Sequence, residues 1–344
     1  MPKTFLIVGA TRGIGLEFTA QLLSQGNIVI ATARSPTSSL LAPRSSTQPP
    51  SNASNLWALT GSPNGHNLTI LECDVSDASS IKHFTDEVRK LGRRGGVLER
   101  GVLDVVMLNA GVLEYPGRIS EITFSAFSHH LHTNTIGPLL TASHLLSLST
   151  PPSLPTPAPS PSSLSSLSPS SSNYALPPPL SPLSSTYHHN PSPIHIKTLV
   201  FISSDSGSTT NFRSFEDGFG AYAASKAALN QGLRHLAAEM HRKNTKSQFQ
   251  AQISPLQDQS SKTIFLALHP GEVSTDMAAN VSLDWDVEGI ISPEESIRCM
   301  LKVIAEKGFG GIDEGGVWSA KSEGRKREDG EATFWTWEGE QYPW

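Results

Sequence analysis

Short strand patterns that are mostly apolar alternate along this chain with helices that are apolar on one side. That alternation restricts the fold more than any other feature. Phe5-Leu6-Ile7-Val8 is the first such run, and it passes through glycines into a helix bearing Leu16, Leu22 and Leu23. Ile28–Ala31, Leu68–Leu71, Leu103–Leu108, Leu199–Ile202 and Ile264–Leu268 follow, and a strand near Thr333–Trp337 closes the series. Between them, Ile81, Phe84, Val88 and Leu91 recur three or four residues apart, as do Leu229, Leu233, Leu236 and Met240. Such spacing gives each helix one apolar face. Phe124 to Leu148 reads as one long helix. Ser292-Pro293-Glu294-Glu295 is a capping box with proline at the first helical position. Strands that are apolar on both faces need cover on both faces. The expectation is an α/β protein, a doubly wound parallel sheet with helices on both sides. Ligands bind such sheets at the carboxyl ends of the strands.

Three stretches break the alternation, and the chain from 1 to 344 reads as one domain carrying them as insertions. Residues 36–66 are rich in Ser, Pro and Asn, residues 150–193 are almost entirely Ser, Pro, Leu and His, and residues 244–262 are polar and Gln-rich. They explain why charged residues are only 17% and hydrophobic ones 37%, both below the usual globular share. The middle stretch cannot bury enough apolar surface to offset its ordering entropy, so a disordered surface loop is expected. Docking to a proline-reading module is the weaker alternative, because few aromatics or charges are there to confer specificity.

The net charge of −5 supplies no basic field for a phosphate backbone, so no nucleic-acid partner is expected. The basic run from Lys321 to Arg327 is broken by Glu323 and followed by Glu328 and Asp329, as in a solvated loop. Cys73 and Cys299 make no secreted disulfide framework, and with no second cysteine or close histidine they suggest no metal site. Both are expected to be buried and inert. No secretory signal precedes the first strand, and no apolar run approaches a membrane span. A soluble cytoplasmic protein without a membrane partner is expected.

Gly9-Ala10-Thr11-Arg12-Gly13-Ile14-Gly15 lies between the first strand and the first helix. Glycines there permit a tight turn and let the backbone approach a pyrophosphate resting on the helix N-terminus. The second strand should choose the nucleotide. An NAD site places Asp or Glu near its end for the ribose 2′-OH, whereas Ala31-Thr32-Ala33-Arg34 offers no acid. Arg34 and Arg12 can instead pair with a 2′-phosphate, which points to NADP(H). Asp74 and Val75 end the third strand, where a carboxylate can accept from the adenine amino group. Asn109, Ala110 and Gly111 end the fourth, and small residues there let a cofactor lie close to the sheet.

Tyr222-Ala223-Ala224-Ser225-Lys226 places a phenol and an ammonium on one helical face. Ser203 and Ser204 end the preceding strand. Asn134 lies four residues before Pro138, which has no N–H to give to the carbonyl of residue 134. That carbonyl is expected to be free for water.

In this order, the motifs GATRGIG, NAG, NTIGP, ISS, YAASK and HPG resemble the short-chain dehydrogenase/reductase family, with its Rossmann-type fold. They span nearly the whole chain outside the insertions. The segment His269 to Met277 and the terminal Glu338-Gly339 to Pro343-Trp344 are similar to the sniffer and C-factor-like carbonyl reductases. The resemblance implies that Tyr222 protonates a carbonyl oxygen as hydride arrives, with Lys226 lowering its pKa and holding the nicotinamide ribose. It implies that Ser204 polarises the carbonyl and that Asn134 holds a water linking Lys226 to solvent. Pro270, Gly271, Val273 and Thr275 would line the nicotinamide. Ser203 should point to the opposite face of its strand. The chain departs from the pattern at Val8, at Leu108, at Glu272 where the subgroup often has Trp, and in a longer interval from Ser204 to Tyr222.

The implied function is NADP(H)-dependent hydride transfer between nicotinamide and a small-molecule carbonyl or secondary alcohol. The alternative is a catalytically silent NADP(H)-binding regulator, which would more readily have lost Tyr222 or Lys226. A sugar-nucleotide epimerase is weaker, because no substantial substrate domain follows Asp276. The substrate pocket is expected from the loop after Ser204 and the segment after Asp276, including Trp285. Monomer and homodimer both stay open.

Overall fold

The computed structural model describes residues 2–34, 53–149, 192–251, 262–279, 281 and 289–344. Seven strands form one sheet: β1 Thr4–Val8, β2 Ile28–Ala33, β3 Leu68–Glu72, β4 Val102–Leu108, β5 His195–Ile202, β6 Ile264–His269 and β7 Thr333–Thr336. Their order is β3-β2-β1-β4-β5-β6-β7, and every adjacent pair is parallel. The helices are α1 Gly13–Ser24, α2 Ser54–Ala58, α3 Ala78–Leu91, α4 Phe124–Leu131, α5 Gly137–Leu146, α6 Gly220–Ala251, α7 Asp276–Ala279, α8 Pro293–Lys307 and α9 Val317–Ser322. The sequence of strands reverses direction at β1, between β2 and β4, which opens a crevice at the carboxyl edge.

Alternate side chains of each strand enter opposite cores. Leu6, Val8, Val106, Leu108, Leu199 and Phe201 pack with Phe84 of α3, Leu145 of α5 and Leu229 and Leu233 of α6. Phe5, Ile7, Val105, Met107 and Val200 pack with Phe18 and Leu22 of α1 and Ile297 and Met300 of α8. Each such side chain, fully buried, stabilises the fold by roughly 1.5–3 kcal/mol. The expected capping box is present: the Ser292 hydroxyl accepts from the Glu295 N–H at 3.2 Å.

Several sequence expectations need correction. The long helix is two helices joined by a π-turn, His132–Ile136. Pro138 withholds a donor, and the Gly137 N–H reaches the His132 carbonyl five residues back, so the ladder slips by one residue. Within the stretch 36–66, Ala53 and Leu56 are fully buried and α2 joins the core. The stretch 244–262 is helical to Ala251, since no Gly or Pro interrupts residues 244–251. Cys299 is partly exposed, unlike Cys73. The low-complexity residues 150–191, and Trp285, lie outside the described residues. Among the described residues, no helix is long and apolar enough to cross a membrane.

Candidate active site

The glycine turn is built by close contact. Gly9 has φ +88°, and a Cβ there would stand 2.7 Å from the Cα of Ala110 at the end of β4. A Cβ on Gly15 would stand 2.1 Å from the Gly9 carbonyl oxygen and 2.6 Å from Asn109 Nδ2. Asn109 Nδ2 donates to that same carbonyl at 2.7 Å, tying the turn to β4. The segment after β6 arches over the turn: Thr275 Cγ2 lies 3.4 Å from the Cβ position of Gly13. Pro270 is held by Ser296 Oγ at 2.6 Å, Gly271 has φ +85°, and Val273 pairs with Ile291. Thr11 and Ile14 are half-buried in the turn, and Ala110 packs beneath Gly9.

Arg12 caps α1 through its backbone, and Arg34 follows β2; both side chains are exposed. Neither has a hydrogen-bond or ion-pair partner among the described residues. Asp74 Oδ1 accepts from Ser76 N and Oγ at 2.9 and 2.6 Å, and Val75 is buried.

The four expected catalytic side chains meet between the ends of β4 and β5. Lys226 Nζ donates to the Ile202 carbonyl at 2.8 Å and lies 5.7 Å from the Tyr222 ring centroid. Asn134 Oδ1 and Lys226 Nζ stand 3.3 and 3.7 Å from the Cβ position of Gly111, so all three residues share one space. The Asn134 side chain is fully occupied: its Oδ1 accepts from Val112 N, and its Nδ2 donates to Val112 O and Ser225 Oγ, all within 2.9 Å. Ser204 faces the Tyr222 phenol, whereas Ser203 Oγ turns away and donates to Asn230 Oδ1 at 2.6 Å. The expected opposite facing of the two serines holds.

Residues 3–149 match the family described as short chain dehydrogenase. An uncharacterized oxidoreductase of Schizosaccharomyces pombe is 25% identical over 313 residues, covering 88% of this chain and 90% of the relative. The NADPH bound carbonyl reductase from chicken fatty liver superposes with a TM-score of 0.63 at 25% identity, covering 100% of this chain and 94% of that one. Over residues 3–149 the chain is thus similar to the short chain dehydrogenase family. The carbonyl reductase Sniffer of D. melanogaster shares the fold, with a TM-score of 0.60 at 19% identity and complete coverage of both chains.

The site is more highly charged than its motifs announce. Asp205, next to Ser204, is buried and paired with Arg213 Nη1 at 2.8 Å; Arg213 also bridges to Glu216. The Asp205 N–H donates to His269 Nδ1 at 3.3 Å, and potential ligand atoms of Asp205, His269 and Glu272 lie within 4.8 Å of one another. A cavity of about 440 Å³ opens beside this cluster, lined by Ser206, Phe212, Arg213, Glu216, Phe219 and Ala223. Its lining joins the loop after Ser204 to Arg118, Ile119 and Ser120. Asn230 Nδ2 supports the loop from beneath, at 3.1 Å from the Gly207 carbonyl.

The charges alter the titration expected of Tyr222. Burial pushes its phenol above the ordinary value; Ser204 pulls it down, and Asp205, Glu272 and Glu216 push it up. Burial also lowers Lys226 to about 8. In the protein alone, therefore, Tyr222 is not depressed: burial and three carboxylates outweigh the hydroxyl beside it. Burial lowers His269 too, against the opposing pull of Asp205, so its imidazole is neutral at neutral pH.

Proposed function

We propose that the chain is an NADP(H)-dependent oxidoreductase that interconverts a small-molecule carbonyl compound and its alcohol. The observation that carries this reading is the gathering of Tyr222, Lys226, Ser204 and Asn134 beside a glycine turn too tight for any side chain. The fit to a dinucleotide rests on that turn, where a Cβ at Gly9 or Gly15 would collide with backbone. Arg12 and Arg34, without partners among the described residues, suit a 2′-phosphate. The NADPH bound state of the chicken carbonyl reductase agrees with that choice.

When bound, the nicotinamide supplies or accepts a hydride at the carbonyl carbon. The residues of the chain manage the oxygen and its proton. In reduction, Tyr222 passes its phenolic proton to the carbonyl oxygen, which becomes the alcohol hydroxyl. A phenol held protonated by burial suits that direction. Ser204 hydrogen-bonds the carbonyl oxygen and polarises it. Lys226, positively charged below about pH 8, stabilises the phenolate left behind and holds the nicotinamide ribose. Asn134 braces the turn from Gly111 to Val112 beside Lys226, where a water can resupply the proton. Thr11, Gly13, Ile14, Asp74, Val75, Asn109 and Ala110 line the dinucleotide crevice, and Pro270, Gly271, Val273 and Thr275 close it over the nicotinamide.

Fluorescence titration of NADPH and NADH, followed by a panel of aldehydes, ketones and quinones, tests the reading. Preference for NADPH with turnover of at least one carbonyl class is expected. Equal affinity for the two nucleotides would overturn the roles of Arg12 and Arg34. NADPH binding without any turnover would favour the silent regulator.

A further inference from the structure

The interval between Ser204 and α6 is longer than the family pattern asks for, and it is not loose. Ser204 Oγ donates to Asp205 Oδ1 at 3.0 Å and accepts from the Ser206 N–H at 3.2 Å. A hydroxyl has one hydrogen, so Asp205 competes with Tyr222 for it. Asp205 also receives the Ser206 N–H at 2.8 Å and the Arg213 guanidinium at 2.8 Å. Arg213 spans from Asp205 to Glu216, closing the loop on itself just before α6 begins. Beneath it, Gly207 rests on α6 so closely that a Cβ would stand 2.8 Å from the Cβ of Lys226. The Thr210 N–H donates to the Trp344 main-chain oxygen at 2.9 Å, fastening the outer side.

We propose that Asp205 is a positioning residue of this enzyme: it holds the Ser204 hydroxyl hydrogen and, through Arg213 and Glu216, fastens the loop that borders the reacting carbonyl. The inference rests on the reductase reading above. A metal ion is a poorer account of the cluster. Both Asp205 oxygens are already engaged, by Ser204 and Arg213, and His269 Nδ1 accepts from the Asp205 N–H.

The hydroxyl of Ser204 must turn from Asp205 to the substrate oxygen when a carbonyl binds. Asp205 sets its resting direction and keeps the rest of the loop still while it turns. Its charge has a second consequence. Tyr222 must be protonated to act in reduction, and the Asp205 carboxylate favours the protonated phenol. Glu272 and Glu216 act in the same sense, while Lys226, Arg213 and a neutral His269 complete the surroundings. The same Asp205 charge favours the Lys226 ammonium, which titrates first, at about 8, so removing it brings the alkaline loss of reductase activity to lower pH.

Steady-state reduction of the best carbonyl from the panel, from pH 6 to pH 10, tests this in Asp205→Asn and Arg213→Lys. Asp205→Asn is expected to lower kcat by about tenfold or more, because a neutral amide no longer pairs with the Arg213 guanidinium that keeps the loop still. Its alkaline limb should move to lower pH while NADPH affinity stays as in wild type. Arg213→Lys keeps the charge but loses the planar fork that spans two carboxylates. It is expected to raise KM severalfold and leave the alkaline limb in place. If Asp205→Asn gives no folded protein, the KM of Arg213→Lys decides. A kcat unchanged or raised in Asp205→Asn with an unmoved limb, or a wild-type KM in Arg213→Lys, would overturn the proposal. A wild type that turns over nothing overturns the reductase reading itself.

Discussion

Adding one methyl group at Gly15 tests the dinucleotide crevice at its tightest point. In Gly15→Ala the new Cβ would stand 2.1 Å from the Gly9 carbonyl oxygen and 2.6 Å from Asn109 Nδ2. Both contacts are rigid: one is backbone, and the other is an amide already bonded to that carbonyl at 2.7 Å. Overpacking such a site costs about 1–3 kcal/mol. Prising Asn109 from the carbonyl forfeits about 0.5–1.5 kcal/mol more. The total is roughly 2–4 kcal/mol, shared between folding and the affinity of the distorted turn for a pyrophosphate. A loss of about 1.4 kcal/mol in binding alone is tenfold in Kd. Urea denaturation and NADPH fluorescence titration read the two shares. Gly61→Ala is the control, because nothing lies within 4 Å of its Cβ position; a change under about 0.5 kcal/mol is expected there. If Gly15→Ala kept wild-type stability and wild-type NADPH affinity, the close approach of Gly9, Gly15 and Asn109 would not be what shapes the crevice.

Three further outcomes follow from the buried charges. The Lys226 ammonium titrates at about 8 in the folded protein against an ordinary 10.5, so between these values the unfolded chain binds the extra proton and stability rises with pH. Lys226→Met should remove that rise, add on the order of 1–3 kcal/mol at neutral pH and abolish turnover; a neutral-pH destabilisation in urea would contradict the burial argument. Asp313→Ala strips the partner from buried Lys307, paired at 2.7 Å, and should cost about 3–5 kcal/mol, with Glu306 at 3.1 Å softening the loss; a fall under about 1 kcal/mol in the urea midpoint analysis would refute it. Burial, and then Asp74, push the Cys73 thiol up to about 12, so a chromogenic thiol reagent should label Cys299 in the native protein and Cys73 only on unfolding; equal rates would contradict this.

The strand–helix alternation made the sheet legible in advance, because apolar runs such as Ile264–Leu268 have no other use at that length. Tyr222, Lys226 and Ser204 were legible for a related reason: their spacing and the ends of their elements determine where the side chains project. The slip at Pro138 was half legible. The missing donor is written in the residue, but the choice of His132 as acceptor belongs to the packing of Gly137 against Val75. Leu56 was hidden by its polar neighbours, since a five-residue helix is too short to show a period. Arg213 and Asp205 could not be paired from sequence, because a loop with no period gives no rule for which charges face each other. Asn230 carried a usable signal. It lies eight residues after Tyr222 on the same helix, opposite a serine already expected to turn away from the phenol.

The central claim is that Tyr222 supplies the proton in an NADP(H)-dependent carbonyl reduction. Its most direct test is the rate of NADPH oxidation by the best carbonyl substrate in wild type and Tyr222→Phe, with NADPH affinity measured on both. The expected result is a fall in kcat of at least about 100-fold, the lower end of what a positioned acid contributes, with NADPH affinity unchanged. Turnover in Tyr222→Phe within a few-fold of wild type would contradict the account.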